Sequence, residues 1–206
     1  MSKVIQYIHR PNLTELGKGN THECYMLIPA DYDLTELFPV AKEITFLNPK
    51  TYLKYKLKSA NGREFRVNQM GNFYRDNDIQ YGDSIICTMI SSENESHNYI
   101  SCIKSPQLVI SGSNERGFEL FNSQILPDFK EKSSAPYVMK VMMENIEYTM
   151  SISFLKSAKK RSDSPYETDY YSVFCPAIIK RGIYTLNMSD MVLGKFIKSE
   201  FNQTIW

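Results

Sequence analysis

The residues with the clearest chemical potential lie in Asn61 to Asn72, NGREFRVNQMGN. A strand sends successive side chains to opposite faces. On a strand here, Arg63, Phe65, Val67 and Gln69 fall on one side, and Glu64, Arg66, Asn68 and Met70 on the other. Phe65 and Val67 read as core residues, so Glu64, Arg66 and Asn68 project together away from it. That trio matches base edges in the major groove. Arginine pairs with guanine O6 and N7, asparagine with adenine, and a carboxylate accepts from the N4 amine of cytosine. An acid on a surface that binds only phosphate is costly, unless it accepts from a base or holds the arginine in place. The pattern alone leaves open an ordinary polar face with a Glu–Arg pair. A second informative segment is Tyr7 to Pro29, YIHRPNLTELGKGNTHECYMLIP. Its polar loop, rich in Gly, Asn, Thr, His and Lys, runs into an apolar strand and offers adaptable donors on a surface.

The elements that position these segments read as strands. The chain has 206 residues, with 14 Tyr and 11 Phe, a composition that favours strands. Alternation is strict in Thr51 to Lys58, where Leu53, Tyr55 and Leu57 share one face and Lys54, Lys56 and Lys58 the other. It recurs in Tyr148 to Phe154, with Tyr148, Met150, Ile152 and Phe154 on one side. Short apolar runs at 84–90, 98–103, 107–111, 137–143 and 170–175 add further strands, and the fold class is mainly β, a barrel or sandwich. Asn61-Gly62 predicts a type I′ hairpin turn joining 51–59 to 63–70. Two helices are predicted. One spans Asp33 to Phe38 and is closed by Pro39; the other spans Ser189 to Phe201, with Ser189 as cap.

The chain reads as a DNA-binding candidate domain over 1–126, a linker over 127–136 (within the proline-bounded LPDFKEKSSAP), and a β-rich extension over 137–206 that either completes the same barrel or forms an attached unit. Lys156 to Thr168, a basic cluster followed by an acidic one, reads as a solvated connection between strands, with a DNA-facing loop as the alternative. Twenty-four Lys+Arg against 23 Asp+Glu exclude a wholly basic protein but not a local basic face. No apolar run reaches the length of a membrane span, and the start MSKVIQYIHRP lacks the apolar stretch of a signal peptide. Four isolated cysteines, Cys24, Cys87, Cys102 and Cys175, read as buried free thiols in a reducing cytoplasm. No zinc-ligand spacing occurs. Signatures of serine hydrolases, P-loops and dinucleotide sites are absent from the sequence. Asp128-Phe129-Lys130 is the one acid-x-lysine trace of a metal-dependent nuclease, and it sits in the linker.

The two informative segments resemble the N-terminal effector-binding domain of EcoRII-type restriction endonucleases. That domain has the DNA-binding pseudobarrel fold, which is shared with a family of plant transcription factors. The residues that carry the resemblance are LTELGKGNTHECYMLIP at 13–29, DLTELFP at 33–39, Phe46-Leu47-Asn48-Pro49, and Glu64-Phe65-Arg66-Val67-Asn68. His22 falls on the family histidine, and Glu23 stands where a glutamine is usual. Glu64 and Arg66 fall on the family's acid and one of its arginines. Phe65 replaces a lysine, and Gly62-Arg63 replaces an Arg-Asn pair. Gly82-Asp83 resembles the turn before the next barrel strand. The match covers about residues 7–112.

The resemblance implies an open barrel of seven to eight strands with short helices, gripping the major groove with two arms. The first arm would carry Arg10, Lys18, Asn20, His22 and Glu23. The second would carry Arg63, Glu64, Arg66, Asn68, Gln69 and Asn72, with phosphate contacts from Lys54, Lys56 and Lys58. The implied partner is double-stranded DNA with a short CCWGG-like site. A nuclease domain would lie elsewhere in the same chain or on a partner, and no membrane is involved. DNA binding would need no cofactor, Mg²⁺ being expected only in that separate nuclease domain, so no catalytic residue is expected here. The alternatives are a module reading another or a methylated site in a modification-dependent restriction system, a small Mg²⁺-dependent nuclease built on Asp128, Lys130 and Glu131, and a protein-interaction barrel.

Overall fold

The computed structural model describes residues 2–18, 23–143, 145–159, 167–178, 181–187 and 196–201. The protein is mainly β, and its chain forms two compact units, Met1–Ser105 with Val192–Trp206, and Pro106–Met191. The division therefore falls after Ser105 instead of 126. The segment 127–136 belongs to the second unit, and the C-terminal residues return to the first. Among the described residues, no helix is long and apolar enough to cross a membrane.

The first unit contains β1 (Ser2–His9), β2 (Met26–Ile28), β3 (Glu43–Leu47), β4 (Lys54–Asn61), β5 (Phe65–Asn68), the helix α1 (Gly71–Asp76), β6 (Ser84–Ser91) and β7 (Ser96–Ile103). These seven strands form a nearly closed barrel-like sheet. A last strand of the chain, Phe196–Phe201, pairs antiparallel with β1 and extends the order to C-terminal strand-β1-β6-β7-β3-β4-β5-β2. Phe38, Phe46, Leu57, Val67, Met70 and Phe73 are all buried in its core. The Phe38 and Phe46 rings lie 5.7 Å apart, and Tyr55 meets Phe73 edge-on at 5.2 Å.

Several expected elements differ. Asp33 to Phe38 is a turn rather than a helix. Asp33 Oδ1 accepts from Thr35 N at 3.2 Å and Phe38 N donates to Leu34 O at 2.8 Å, after which Pro39 cannot continue the spiral. Phe196–Phe201 is strand, not helix, because pairing with the open edge of β1 outweighs a weak helical pattern; 188–195 lie outside the described residues. β4 does pair with β5, but neither Asn61 nor Gly62 has positive φ, so the turn is not type I′. The register Asn61↔Phe65 leaves a three-residue loop, Gly62-Arg63-Glu64. Thr51 to Leu53 precede β4 instead of forming part of it, and Leu53 is exposed. Asn48 organises that approach: its side-chain oxygen accepts from Lys50 N at 2.9 Å.

The second unit contains, in chain order, β8 (Gln107–Ser113), β9 (Gly117–Phe121), a 3₁₀ turn (Ser123–Ile125), β10 (Tyr137–Met143), β11 (Ile146–Lys159), β12 (Glu167–Phe174) and β13 (Gly182–Asn187). The sheet order is β10-β11-β12-β9-β8-β13. The alternation read at 148–154 is seen here, with Met150 and Ile152 buried and Tyr148 and Phe154 packed on the same core. Lys156 to Lys159 are strand, paired with β12, instead of a loop; 160–166 lie outside the described residues. Gly112 has φ 153°, and a Cβ there would stand 2.3 Å from the Gly117 carbonyl oxygen, so only glycine lets β8 and β9 approach this closely. All four cysteines are free thiols, Cys87 and Cys175 buried and Cys24 and Cys102 half-buried.

Candidate nucleic-acid interface

The β4–β5 hairpin arranges most of the second arm. Along β4, Tyr55, Leu57 and Ser59 point inward and are buried, while Lys54, Lys56 and Lys58 are exposed. On β5, Val67 is fully buried and Arg66 and Asn68 are half-exposed. Residues directly opposite on antiparallel strands share a face. The register sets Lys58 opposite Asn68 and Ala60 opposite Arg66. Arg66 and Asn68 therefore stand on the same outer face as the three lysines. Glu43 is the acid that meets this row, 3.4 Å from Lys56 in an exposed pair. Such pairs stabilise by less than about 1 kcal/mol, so Lys56 is held only loosely.

Arg66 is held on two sides. Its Nε and Nη2 both donate to Glu64 Oε2, at 3.0 and 2.6 Å. The Tyr25 ring lies under the guanidinium, 4.4 Å from its carbon. The hydrogen bond to Glu64 pushes the Arg66 guanidinium up, burial opposes it, and the charges of Tyr25, Glu64 and Glu23 add to the rise. Side-chain exposure is 38% for Arg66 and 46% for Glu64, so both reach solvent. The other Glu64 oxygen and Nη1 of Arg66 take no part in this pair.

The first segment meets the second through β2. Leu27 lies opposite Arg66 and Met26 opposite Val67, and Met70 N donates to Cys24 O at 3.3 Å. Glu23, exposed, is therefore close enough to Arg66 for its charge to be felt there. Lys18 is exposed. Arg10 is half-buried, and its Nε and Nη2 are covered without a hydrogen-bond partner among the described residues. Asn20 and His22 lie outside the described residues. Arg63 is exposed in the hairpin loop instead of sharing the Phe65 face. Gln69 has φ 67°, which turns the chain out of the strand. Gln69 is thus exposed, and Met70, expected beside Arg66 and Asn68, is fully buried at the start of α1. Asn72 is exposed on α1, where its side-chain oxygen accepts from Arg75 Nη2 at 2.5 Å.

One residue was missed by sequence reasoning. Glu15 has 1% exposure and anchors the first arm. It accepts from His9 Nε2 at 2.8 Å, Asn12 N at 2.8 Å and Leu27 N at 2.6 Å. Asn12 Oδ1 returns the favour, accepting from Glu15 N at 3.0 Å. This reciprocal pair is a capping box, and its trace, Asn-x-x-Glu, was legible at 12–15. The bond to Leu27 also satisfies an N–H of β2, the end strand of the sheet, and so blunts an edge that would otherwise invite pairing. On the far side, the Tyr7 hydroxyl meets His9 Nδ1 at 2.9 Å.

Burial pushes the Glu15 carboxyl up, but the His9 bond and charge and the two backbone N–H groups outweigh it and hold the carboxyl below its ordinary value. A depressed folded value means the carboxylate stabilises the fold fully above the ordinary 4.5 and less as pH falls through the folded value. Urea unfolding at pH 6 and pH 3 tests this. The native chain should lose more stability between the two than Glu15→Gln, and equal losses would show that the fold does not hold the Glu15 carboxyl below its ordinary value.

Comparison with protein-family models, with curated proteins and with solved structures finds no match for this chain. Among the described residues, no three His, Cys, Asp or Glu side chains gather closely enough to hold a metal ion.

Proposed function

We propose that the first unit is a sequence-specific double-stranded DNA-binding domain of the pseudobarrel type, reading the major groove as the target- or effector-binding part of a type II restriction endonuclease. The observation that carries this reading is the placement of Arg66. It is solvent-facing, fixed between Glu64 and Tyr25, and on one sheet face with Lys54, Lys56, Lys58 and Asn68. A fixed guanidinium loses less entropy on meeting guanine, and the lysines supply non-specific phosphate contacts that set register. The free Glu64 oxygen complements the cytosine amine, so the pair suits a G·C step in a short CCWGG-like site. Double-stranded DNA is the partner, with cleavage assigned to a nuclease domain in the same or a partner chain.

The test is selection from a random duplex pool, followed by gel shift at two salt concentrations with plain and methylated winners. A G·C-containing consensus bound at least about a hundredfold above scrambled duplex is expected. Retention of all duplexes equally, or of none, would refute base readout. A winner bound only when methylated would move the domain to a modification-dependent system.

A further inference from the structure

A second site, independent of the reading of the first unit, lies wholly within the second. A cleft of about 160 Å³ is bordered by Phe129, Tyr137, Phe154 and Tyr171, with Asp128 and Lys130 among the other lining residues. Drug-sized pockets run to several hundred Å³, so this one admits only a small group. The ring geometry restricts its shape. Phe129 meets Tyr137 at 87° with centroids 5.3 Å apart, Phe129 meets Tyr171 at 49° and 6.0 Å, and Phe154 meets Tyr171 at 76° and 5.9 Å. A planar base needs two roughly parallel faces to slot between, and none of these pairs is parallel. Rings at large mutual angles suit a compact, rounded group.

Charge restricts it further. Asp128 borders the cleft, and Glu131 and Asp169 lie close enough to Tyr171 for their charges to add to the effect of burial in pushing its phenol up. Lys132 answers Asp169 at 3.4 Å, and Lys130 is exposed and can turn to solvent. Among the described residues, the lining itself carries one acid and one lysine, Asp128 and Lys130, and two further acids, Glu131 and Asp169, stand near the aromatic wall against Lys132. Aromatic faces attract cations through their quadrupole, most of all weakly hydrated quaternary ones. The Tyr137 hydroxyl is already bonded to Pro127 O at 3.0 Å, which pins that ring in place.

We infer that this cleft binds a methylated ammonium group, carried either by a free small molecule or by a methylated lysine side chain. Binding is non-covalent, with the cation against the rings and Asp128 as its counter-charge.

The test follows aromatic side-chain NMR signals of the full chain during titration with choline, with its neutral isostere 3,3-dimethylbutan-1-ol, with a trimethyl-lysine tetrapeptide and with adenosine. Choline or the peptide should shift the Phe129, Tyr137, Phe154 and Tyr171 signals and bind about tenfold or more tighter than the isostere; whichever of the two binds tighter identifies the source. Phe129→Leu should bring choline down to the isostere's level while the isostere still binds, which shows the fold intact. Asp128→Asn should weaken choline severalfold, and Lys130→Ala should tighten it. Equal binding of choline and isostere would make this a plain apolar cleft, tighter binding of adenosine would make it a base pocket, and no shift with any probe at concentrations on the order of 100 mM would remove the site; each overturns the inference.

Discussion

Replacing Arg66 by alanine is expected to lower affinity for the selected duplex about 10- to 100-fold while leaving a scrambled duplex within a few-fold of the native protein. The magnitude follows from the guanidinium's one open edge. Two donors meeting guanine O6 and N7 discriminate by about 1–3 kcal/mol, and loss of that contact is felt only where a guanine is presented. Lys56→Ala is the control. Lys56 is exposed on the same face but reaches no base in this reading, so its loss should weaken both duplexes alike and reduce the salt dependence by about one phosphate. Both variants are expected to fold, since neither side chain is buried. Gel shifts or anisotropy at several salt concentrations separate the two patterns. If Arg66→Ala and Lys56→Ala act equally on both duplexes, Arg66 reads no base. Glu64→Gln refines the result: the guanidinium keeps its Tyr25 platform and an oxygen acceptor on its Nε side but loses the charge that strengthens that anchor. Specificity should then fall by less than in Arg66→Ala.

The largest effect on stability is expected at Glu15. Glu15→Ala should cost about 3–5 kcal/mol, because removing one partner of a buried charged network leaves the others uncompensated. Three donors lose their acceptor together: His9 Nε2, Asn12 N and Leu27 N. The first two set the root of the first arm, and the third holds β2 to it. The midpoint of thermal unfolding should fall by roughly 10 °C, as expected for a loss of that size in a domain of this length. Glu15→Gln retains an oxygen acceptor and loses only the charge, so a smaller cost is expected. A loss below about 1 kcal/mol in Glu15→Ala, measured by urea unfolding, would mean that water replaces the carboxylate and that the network does not anchor the arm. Because β2 also supports Tyr25, and Tyr25 supports Arg66, the same variant should weaken DNA binding even where it remains folded.

Local patterns in the chain were good guides to strands and poor guides to what ends them. The alternation at 148–154 identified a half-buried face, since period-two burial is a property of the strand itself and needs no partner. In the Lys54, Lys56, Lys58 stretch the exposed face was legible for the same reason. Strand ends depend on distant groups. Leu53 reads as core by alternation, yet Asn48 and the positive φ of Tyr52 turn the chain before it can enter β4. Met70 reads as the outer neighbour of Asn68, yet Gln69 breaks the alternation and sends Met70 inward. The C-terminal residues carried a weak helical pattern, and an unpaired edge of β1, nearly two hundred residues earlier in the chain, took them as a strand. No window of sequence contains that edge.

By itself the amino-acid sequence determined that this protein is built of short strands, that a lysine row lies on one of their faces, and that Glu64 and Arg66 are close enough to interact. These follow from side-chain alternation and from a separation of two residues. Tertiary structure alone decided that the lysine row and Arg66 share one face, that Tyr25 lies under the guanidinium, and that Glu15 ties β1, the first arm and β2 together. Each depends on strand register or on contacts between segments far apart in the chain, where the free energy comes from burial and pairing that no local pattern records.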